Sequence, residues 1–596
     1  VRWRNGSYSI LSPVSSEEPR LKVLPRISLD VFRRRLATVD AVPQLALLGL
    51  LTGILTSGVI LGFRTLVDGT LYQFGIGPEN FESLTALDRI LLVMGGALLL
   101  GLALQRYRPS VRRVGVVHVM ERLSRHQGYL PLKNAVIQFF GGAIALMSGQ
   151  SGGREGPAIH LGATTASLIS QASRLPNNSV RTMVACGTAA AIASSFNTPI
   201  AGVIFAMEVV MMEYTIASFI PVIVAGVSST LITQFVYGSE PAFTVAPSHM
   251  HSVLEIPYLV LGGIIIGALA AGYIQMIQAF ARLTKIPFWL RMILAGALTA
   301  SAGIFVPQVL GVGYDTLNQI MLSELSITLL LLLVVAKSVT SAASVGLGMP
   351  VGLIGPSLLL GAAVGGIFGN ALIYWQGADI SIGFYVMLGM CAMMGAVLQA
   401  PLAALMAVME MTANTSLILP AMVIIVVATL VTSQMFGQRS VFITTLNTLG
   451  LQYPPNPVTL HLQRVGITAI MDRSFMRLPS VITAERAAEV LAATPHWIVV
   501  DDEEGKMRAL LNPSDLNAFM QARAQDEQKI KLLEIPGQRM DVTTMNAQAT
   551  VAQVQAKMTK TQTEACCVTR TTAPLIAPVI GVVTQNHIDN YRNTAE

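Results

Sequence analysis

Charge is scarce in this sequence. Among 596 residues only 12% are Asp, Glu, Lys or Arg, while 53% are hydrophobic and the mean hydropathy is +0.60. A soluble chain of this size carries about twice that share of charge. A soluble globular protein is therefore excluded, and a polytopic membrane protein is expected. Aromatic residues make up only 6%. The basic residues are spread over segment ends with no aromatics interleaved, so the net charge of +6 does not describe a nucleic-acid surface. Cys186, Cys391, Cys566 and Cys567 are the only cysteines, two in apolar segments and two adjacent near the end, which excludes a disulfide framework. Residues 1–40 lack an apolar run of the kind a cleavable signal peptide needs, so none is expected there. No second metal-type residue sits at helical spacing from His118, which is read as structural.

What is abundant is glycine, 50 residues, and methionine, 28. Small residues let membrane helices approach closely, and methionine fills the irregular gaps. The informative stretch is residues 152–162, Gly-Gly-Arg-Glu-Gly-Pro-Ala-Ile-His-Leu-Gly, inside long apolar surroundings. Arg154 and Glu155 lie between glycines at a depth where charge is costly, which marks a functional site. Pro157 suits the first turn of a helix, so the glycines before it should be unwound backbone feeding a helix N-terminus. Such an end offers free N–H groups and partial positive charge to an anion. A second copy follows: Gly352-Leu353-Ile354-Gly355-Pro356 repeats the Gly-x-x-Gly-Pro frame. Asn197-Thr198-Pro199 leading to Glu208 is answered by Gln399-Ala400-Pro401 leading to Glu410. Paired, Gly/Pro-interrupted apolar segments in two halves of a membrane chain point to a binding site between facing helix ends.

This ordered set, together with Ala400-Pro401-Leu402 and Met409-Glu410-Met411-Thr412, resembles the CLC chloride channels and proton/chloride exchangers over roughly residues 40–450. The resemblance implies an all-α polytopic membrane domain, the CLC fold, built as an inverted repeat of broken helices. It also implies a homodimer with a pore in each subunit and both termini inside, in a bacterial inner membrane.

The resemblance assigns the site. Glu155 becomes the gate: a carboxylate that competes with a permeating anion for the helix ends, leaving when protonated or displaced. Anion contacts are expected from Val114, Gly115, Val116, Gly153, Arg154, Gly156, Leu353, Ile354 and Phe442. Val114 stands where the family usually has a serine and Phe442 where it has a tyrosine, so two hydroxyls are missing. Chloride should be held more weakly by about 1–3 kcal/mol. Exchangers commonly carry a second glutamate at the position of Val209. Valine cannot carry protons, which favours a voltage-gated chloride channel, with a proton-coupled antiporter as the alternative and Glu208 and Glu213 as surrogate acids. Lys337 is read as structural, capping carbonyls or pairing, with anion contact as the alternative. A CBS-containing divalent-cation transporter is a remoter reading that would want Glu155, Glu208 and Glu410 on facing segments. No enzyme activity and no required cofactor are expected.

Basic residues order the segments. Arg20, Lys22, Arg26, Arg33, Arg34 and Arg35 place residues 1–42 in the cytoplasm, ahead of a membrane domain at 43–450. Pro454, Pro455 and Pro457 mark a linker at 451–464. Beyond it, residues 496–501, 507–511, 564–570 and 578–584 alternate like strands, and helices open at Pro513 and Gln585. The layout resembles a cytosolic α/β pair of CBS domains at 465–524 and 525–596. Such pairs often bind an adenine nucleotide, for which Asp515 and Thr584 are the matching residues. His587 stands where an Asp is usual, so a dimerisation module is the other reading.

Overall fold

The computed structural model describes residues 42–594 apart from 78–79, 242, 244–249, 251, 377–380, 452–461, 463–464, 523–528 and 571–577. The N-terminal basic segment and the proline linker therefore lie outside the described residues. The first half of the membrane domain comprises α1 (Val42–Gln73), α2 (Ala86–Gln105), α3 (Gly115–Arg125), α4 (Leu132–Met147), α5 (Glu155–Ala172), α6 (Asn177–Phe196), α7 (Pro199–Phe205) and α8 (Ile216–Tyr237). The second comprises α9 (Ile256–Ala281), α10 (Phe288–Phe305), α11 (Tyr314–Met321), α12 (Ile327–Leu347), α13 (Ile354–Gln376), α14 (Ile382–Leu398), α15 (Pro401–Thr412), α16 (Ile418–Leu430) and α17 (Val441–Thr448). Eight described helices are long and apolar enough to cross a membrane; α4, α14 and α15 are apolar but shorter. That mixture is what broken spans look like, because a bilayer core needs about 20 helical residues.

The halves pack alike. The crossing of α5 with α6 brings Gly162 against Gly187, and that of α13 with α14 brings Gly361 against Gly389. A Cβ on any of the four would run into the carbonyl oxygen of its opposite glycine. Glycine is needed there for closeness rather than for flexibility. Each half also has a short helix opened by proline after a left-handed residue, Asn197 (φ 59°) before α7 and Gln399 (φ 53°) before α15. The glutamates at the far ends exchange caps. The Ile200 and Ala201 N–H groups donate to Glu410 at 3.0 and 2.7 Å, and those of Leu402 and Ala403 donate to Glu208 at 3.4 and 2.7 Å. Each carboxylate satisfies orphan donors at the start of the other half's helix and complements its dipole. Both acids are thus engaged as helix caps.

Lys337, buried within α12, donates to the carbonyls of Val309 and Gly311 at 3.0 and 2.9 Å, the capping role expected of it. It holds the loop before α11 in place.

The tail is a separate α/β unit. Its main sheet runs β1 (Phe475–Leu478), β3 (Trp497–Asp501), β4 (Met507–Leu511), β6 (Arg539–Asn546), β7 (Ala565–Thr569), β8 (Val579–Thr584) in that order. The pairs β1/β3 and β6/β7 are parallel, while β3/β4 and β7/β8 are antiparallel, so the same three-strand unit occurs twice, joined at β4/β6. Helices α18 (Ala484–Ala492), α19 (Pro513–Ala522), α20 (Val551–Thr561) and α21 (Gln585–Thr594) flank it. A small pair, β2 (Val481–Thr483) with β5 (Lys529–Lys531), closes the first unit. The strands read from alternation are present. Those missed, β1, β2, β5 and β6, have weak or charged patterns. The tail also touches the membrane domain: Asn177, the first residue of α6, donates its N–H to the Gln548 carbonyl at 3.0 Å and its side-chain amide to Gln553 at 2.9 Å.

Candidate functional site

The two Gly-Pro helix starts meet. Gly153 and Gly352 pair as an antiparallel bridge, each N–H donating to the other's carbonyl at 2.7 and 2.6 Å. The approach needs glycine, since a Cβ on Gly156 would lie 2.7 Å from the Gly352 Cα. The bridge uses the Gly153 N–H, so Gly153 is a scaffold residue and not the anion donor expected from sequence.

Glu155, the first residue of α5, is wholly buried. Its carboxylate turns across the junction to the other half. Oε2 accepts the Gly355 N–H at 3.2 Å, and Oε1 accepts the Tyr314 hydroxyl. An acid seated on the first turn of α13 occupies the place that an anion would take there. It does not pair with its neighbour Arg154, whose guanidinium lies 5.0 Å from the centre of the Tyr314 ring. Phe196 and Phe243 pack edge-on to the same ring, which keeps the hydroxyl aimed at the carboxylate.

Two cavities flank this carboxylate. The larger, 580 Å³, is lined by residues of α3, the start of α13 and the last membrane helix α17, next to where the chain leaves for the tail. Val114, Gly115, Val116, Gly156, Leu353, Ile354 and Phe442 all lie on its wall, so most of the expected anion-contact residues come together. Val114 caps α3 without a side-chain hydrogen bond, which leaves the first-turn N–H groups of that helix as the donors. Phe442 is buried and brings no hydroxyl. The wall also carries Arg112, Arg113, Lys285 and Arg291, against one acid, Glu121, which accepts from Arg113 at 2.5 Å. The guanidiniums of Arg112 and Arg291 stand 4.6 and 5.1 Å from the Phe288 ring centre. Such a surplus of fixed positive charge in a cleft concentrates anions.

The smaller cavity, 320 Å³, is lined by Arg64, Arg154, Tyr237, Glu240, Phe243 and Tyr314 among others. Arg64 stacks on the Tyr237 ring at 3.9 Å. Arg154 faces this cavity while Gly156 faces the larger one, so the residue between them, Glu155, sits at the partition. Its Tyr314 and Gly355 partners are the functional groups that sequence reasoning missed. Gly355 was legible as part of the repeated frame; Tyr314 comes from 159 residues away and has no local signal.

Val209 is buried in a π-helical turn, Ala206–Met211, that packs against α3. His118 is not solitary: His160 of α5 lies beside it. In the tail, the Asp515 carboxylate accepts the Gln538 N–H at 3.2 Å, and the buried Thr584 hydroxyl lies 3.3 Å from Nδ1 of His587. These polar groups already have partners within the tail.

The family model described as Voltage gated chloride channel matches residues 96–433. A putative chloride channel protein ClcB-like of Ralstonia nicotianae is 32% identical over 364 residues, covering 59% of this chain and 84% of that protein. The H(+)/Cl(-) exchange transporter ClcA of Cronobacter sakazakii is 27% identical over 432 residues, covering 69% of this chain and 91% of that protein. Among solved structures, a slow cyanobacterial Cl-/H+ antiporter aligns with a TM-score of 0.59 at 21% identity, over 70% of this chain and 99% of its own. A eukaryotic CLC transporter aligns with a TM-score of 0.56 at 17% identity, over 94% of this chain and 98% of its own, so the shared fold extends through the tail.

Proposed function

The chain belongs to the CLC family of chloride channels and exchangers, and from that premise we propose that it exchanges chloride for protons across the membrane, with Glu155 as the group for which the two ions compete. The observation that carries this reading is the seat of Glu155: buried at the partition between two cavities, on the Gly355 N–H where an anion would bind. Ionised, the carboxylate fills that place and blocks passage. Protonated, it loses its attraction for the positive helix end, and chloride can replace it. Because one proton or one chloride displaces the same interaction, the two fluxes are linked.

The channel reading favoured by Val209 becomes the second reading. Relatives named as H(+)/Cl(-) exchange transporters and the likeness to a Cl-/H+ antiporter support exchange; the apolar Val209 is the observation that favours a channel. Vesicles containing the purified chain and given a chloride gradient separate the two. Exchange drives protons uphill, whereas a channel moves chloride alone. The cation-transporter reading is abandoned, since Glu208 and Glu410 each cap a helix of the opposite half.

The larger cavity is proposed to face the cytoplasm of a bacterium, with both termini on that side of the inner membrane. The exposed apolar residues Ile200, Leu231, Leu402 and Leu419 are proposed as part of the face covered by a second copy. The tail is read as a CBS pair. An adenine nucleotide would have to exchange its ribose hydroxyls for the partners that Asp515 and Thr584 now hold; calorimetry of the full chain with ATP tests this, and absence of heat leaves the dimerisation role.

A further inference from the structure

Two histidines that chloride binding leaves unused meet inside the membrane domain. Nδ1 of His118 on α3 lies 2.8 Å from Nε2 of His160 on α5, and the ring centres are 5.1 Å apart. One N–H must lie between these nitrogens, so one ring donates and the other accepts. His118 is 4% exposed and lies on the wall of the larger cavity, while His160 is fully enclosed. Among the described residues Nδ1 of His160 has no hydrogen-bond partner, which leaves a bare ring nitrogen at the inner end of a two-ring chain. His160 also belongs to the helix that begins at Glu155, five residues on, about 7.5 Å of helical rise. The π-helical turn with Val209 packs against α3, the helix that carries His118.

We propose that His118 and His160 form the proton station between the larger cavity and Glu155, performing the task for which Val209 has no ionisable group. This rests on the exchange reading above. A proton from the cavity binds Nε2 of His118; the proton on Nδ1 crosses to Nε2 of His160; His160 then releases the proton on its own Nδ1 toward the start of α5. One proton enters, one leaves, and the N–H···N bond reverses its direction. Turning a ring moves no proton between its nitrogens, so the starting arrangement returns only when each ring exchanges tautomer, one proton leaving Nε2 as another joins Nδ1. The charged and titratable groups on the packed elements are Arg113, Glu121, Arg122, Arg125 and His126 on and beside α3, Glu155 on α5, Arg64, Asp68 and Tyr72 on α1, Lys133 on α4, Arg181 and Cys186 on α6, and Glu208 in the π-helical turn. Arg113 is held by Glu121, Arg122 donates to the Tyr129 carbonyl, and Glu208 is bound to the start of α15. Helix α17, also packed on α3, has no ionisable residue.

The test uses the full-length protein in vesicles, with chloride and proton movement recorded together for wild type, His118→Gln and His160→Gln. Glutamine keeps a hydrogen bond between the helices but cannot pass a proton along a ring. The expected result is a fall of about a hundredfold in protons moved per chloride, with chloride movement persisting. A merely structural role lowers both fluxes together and leaves their ratio at the wild-type value; that result overturns the proposal while exchange stands. Wild type that moves no protons removes the exchange reading and the histidine station with it.

Discussion

In the first half of the membrane domain the helix start carries Arg154 and Glu155; in the second, Leu353 and Ile354 stand in the corresponding places. The backbones of the two starts are bridged as equals through Gly153 and Gly352. The scaffold is therefore a symmetric pair, while the chemistry is divided: one copy supplies a carboxylate, and the other supplies the N–H group that receives it. Duplication provides the helix ends. Divergence of two side chains places an acid on one of those ends.

The strongest way to test that division is Glu155→Gln. It removes the movable charge and leaves the receiving helix end, so proton movement in vesicles should fall by about a hundredfold or more. Persisting proton transport would break the division of labour. The symmetry of the scaffold is tested by Glu208→Ala and Glu410→Ala, each of which uncaps the other half's short helix. Each should cost about 1–2 kcal/mol of stability, seen as matched falls in melting temperature of the purified protein. Unequal losses would show that the halves bear load differently. A smaller effect is expected for Tyr314→Phe, which loosens the plug without discharging it. Losing about 1 kcal/mol of hold on the carboxylate lets chloride compete about fivefold better, read as a lower half-saturating chloride concentration.

The smallest effect lies in the tail, where Asp472 ahead of β1 pairs with Val582 of β8. Burial works to raise the Asp472 carboxyl, but the Ser474 N–H and His496 together hold it below its ordinary range. Burial holds His587 below the usual histidine range. Both groups favour the folded state when deprotonated. Their stabilisation is present at neutral pH and is lost as pH falls, first below the ordinary histidine value and then through the depressed carboxylate. Hydrogen exchange of the full chain, corrected for intrinsic rates, should show protection at β8 falling by less than about tenfold from pH 7 to about pH 3. A flat profile would mean that the two units are held by their apolar seam alone.

Much of this was legible from residue patterns. The Gly-x-x-Gly-Pro frame located the junction because glycine and proline constrain the backbone whatever surrounds them. Lys337 was readable because a buried ammonium must find acceptors. The alternating strands of the tail were readable for their regular burial. Contacts between distant helices were not. His118 looked solitary because its partner sits on another helix, and Tyr314 gave no sign that it reaches Glu155. Val209, weighed alone, pointed to a channel, since the spacing of one segment cannot show which other side chains pack beside it.

The glycine crossings carry a mechanical consequence. At Gly162 with Gly187, and again at Gly361 with Gly389, main chain rests on main chain with no side chains between to shear or re-pack. Rods locked at such notches resist sliding or rocking past one another. On the reading proposed above, the moving part reduces to torsions within one acidic residue, which turn far faster than helices travel, and turnover would follow how often that residue is discharged or displaced.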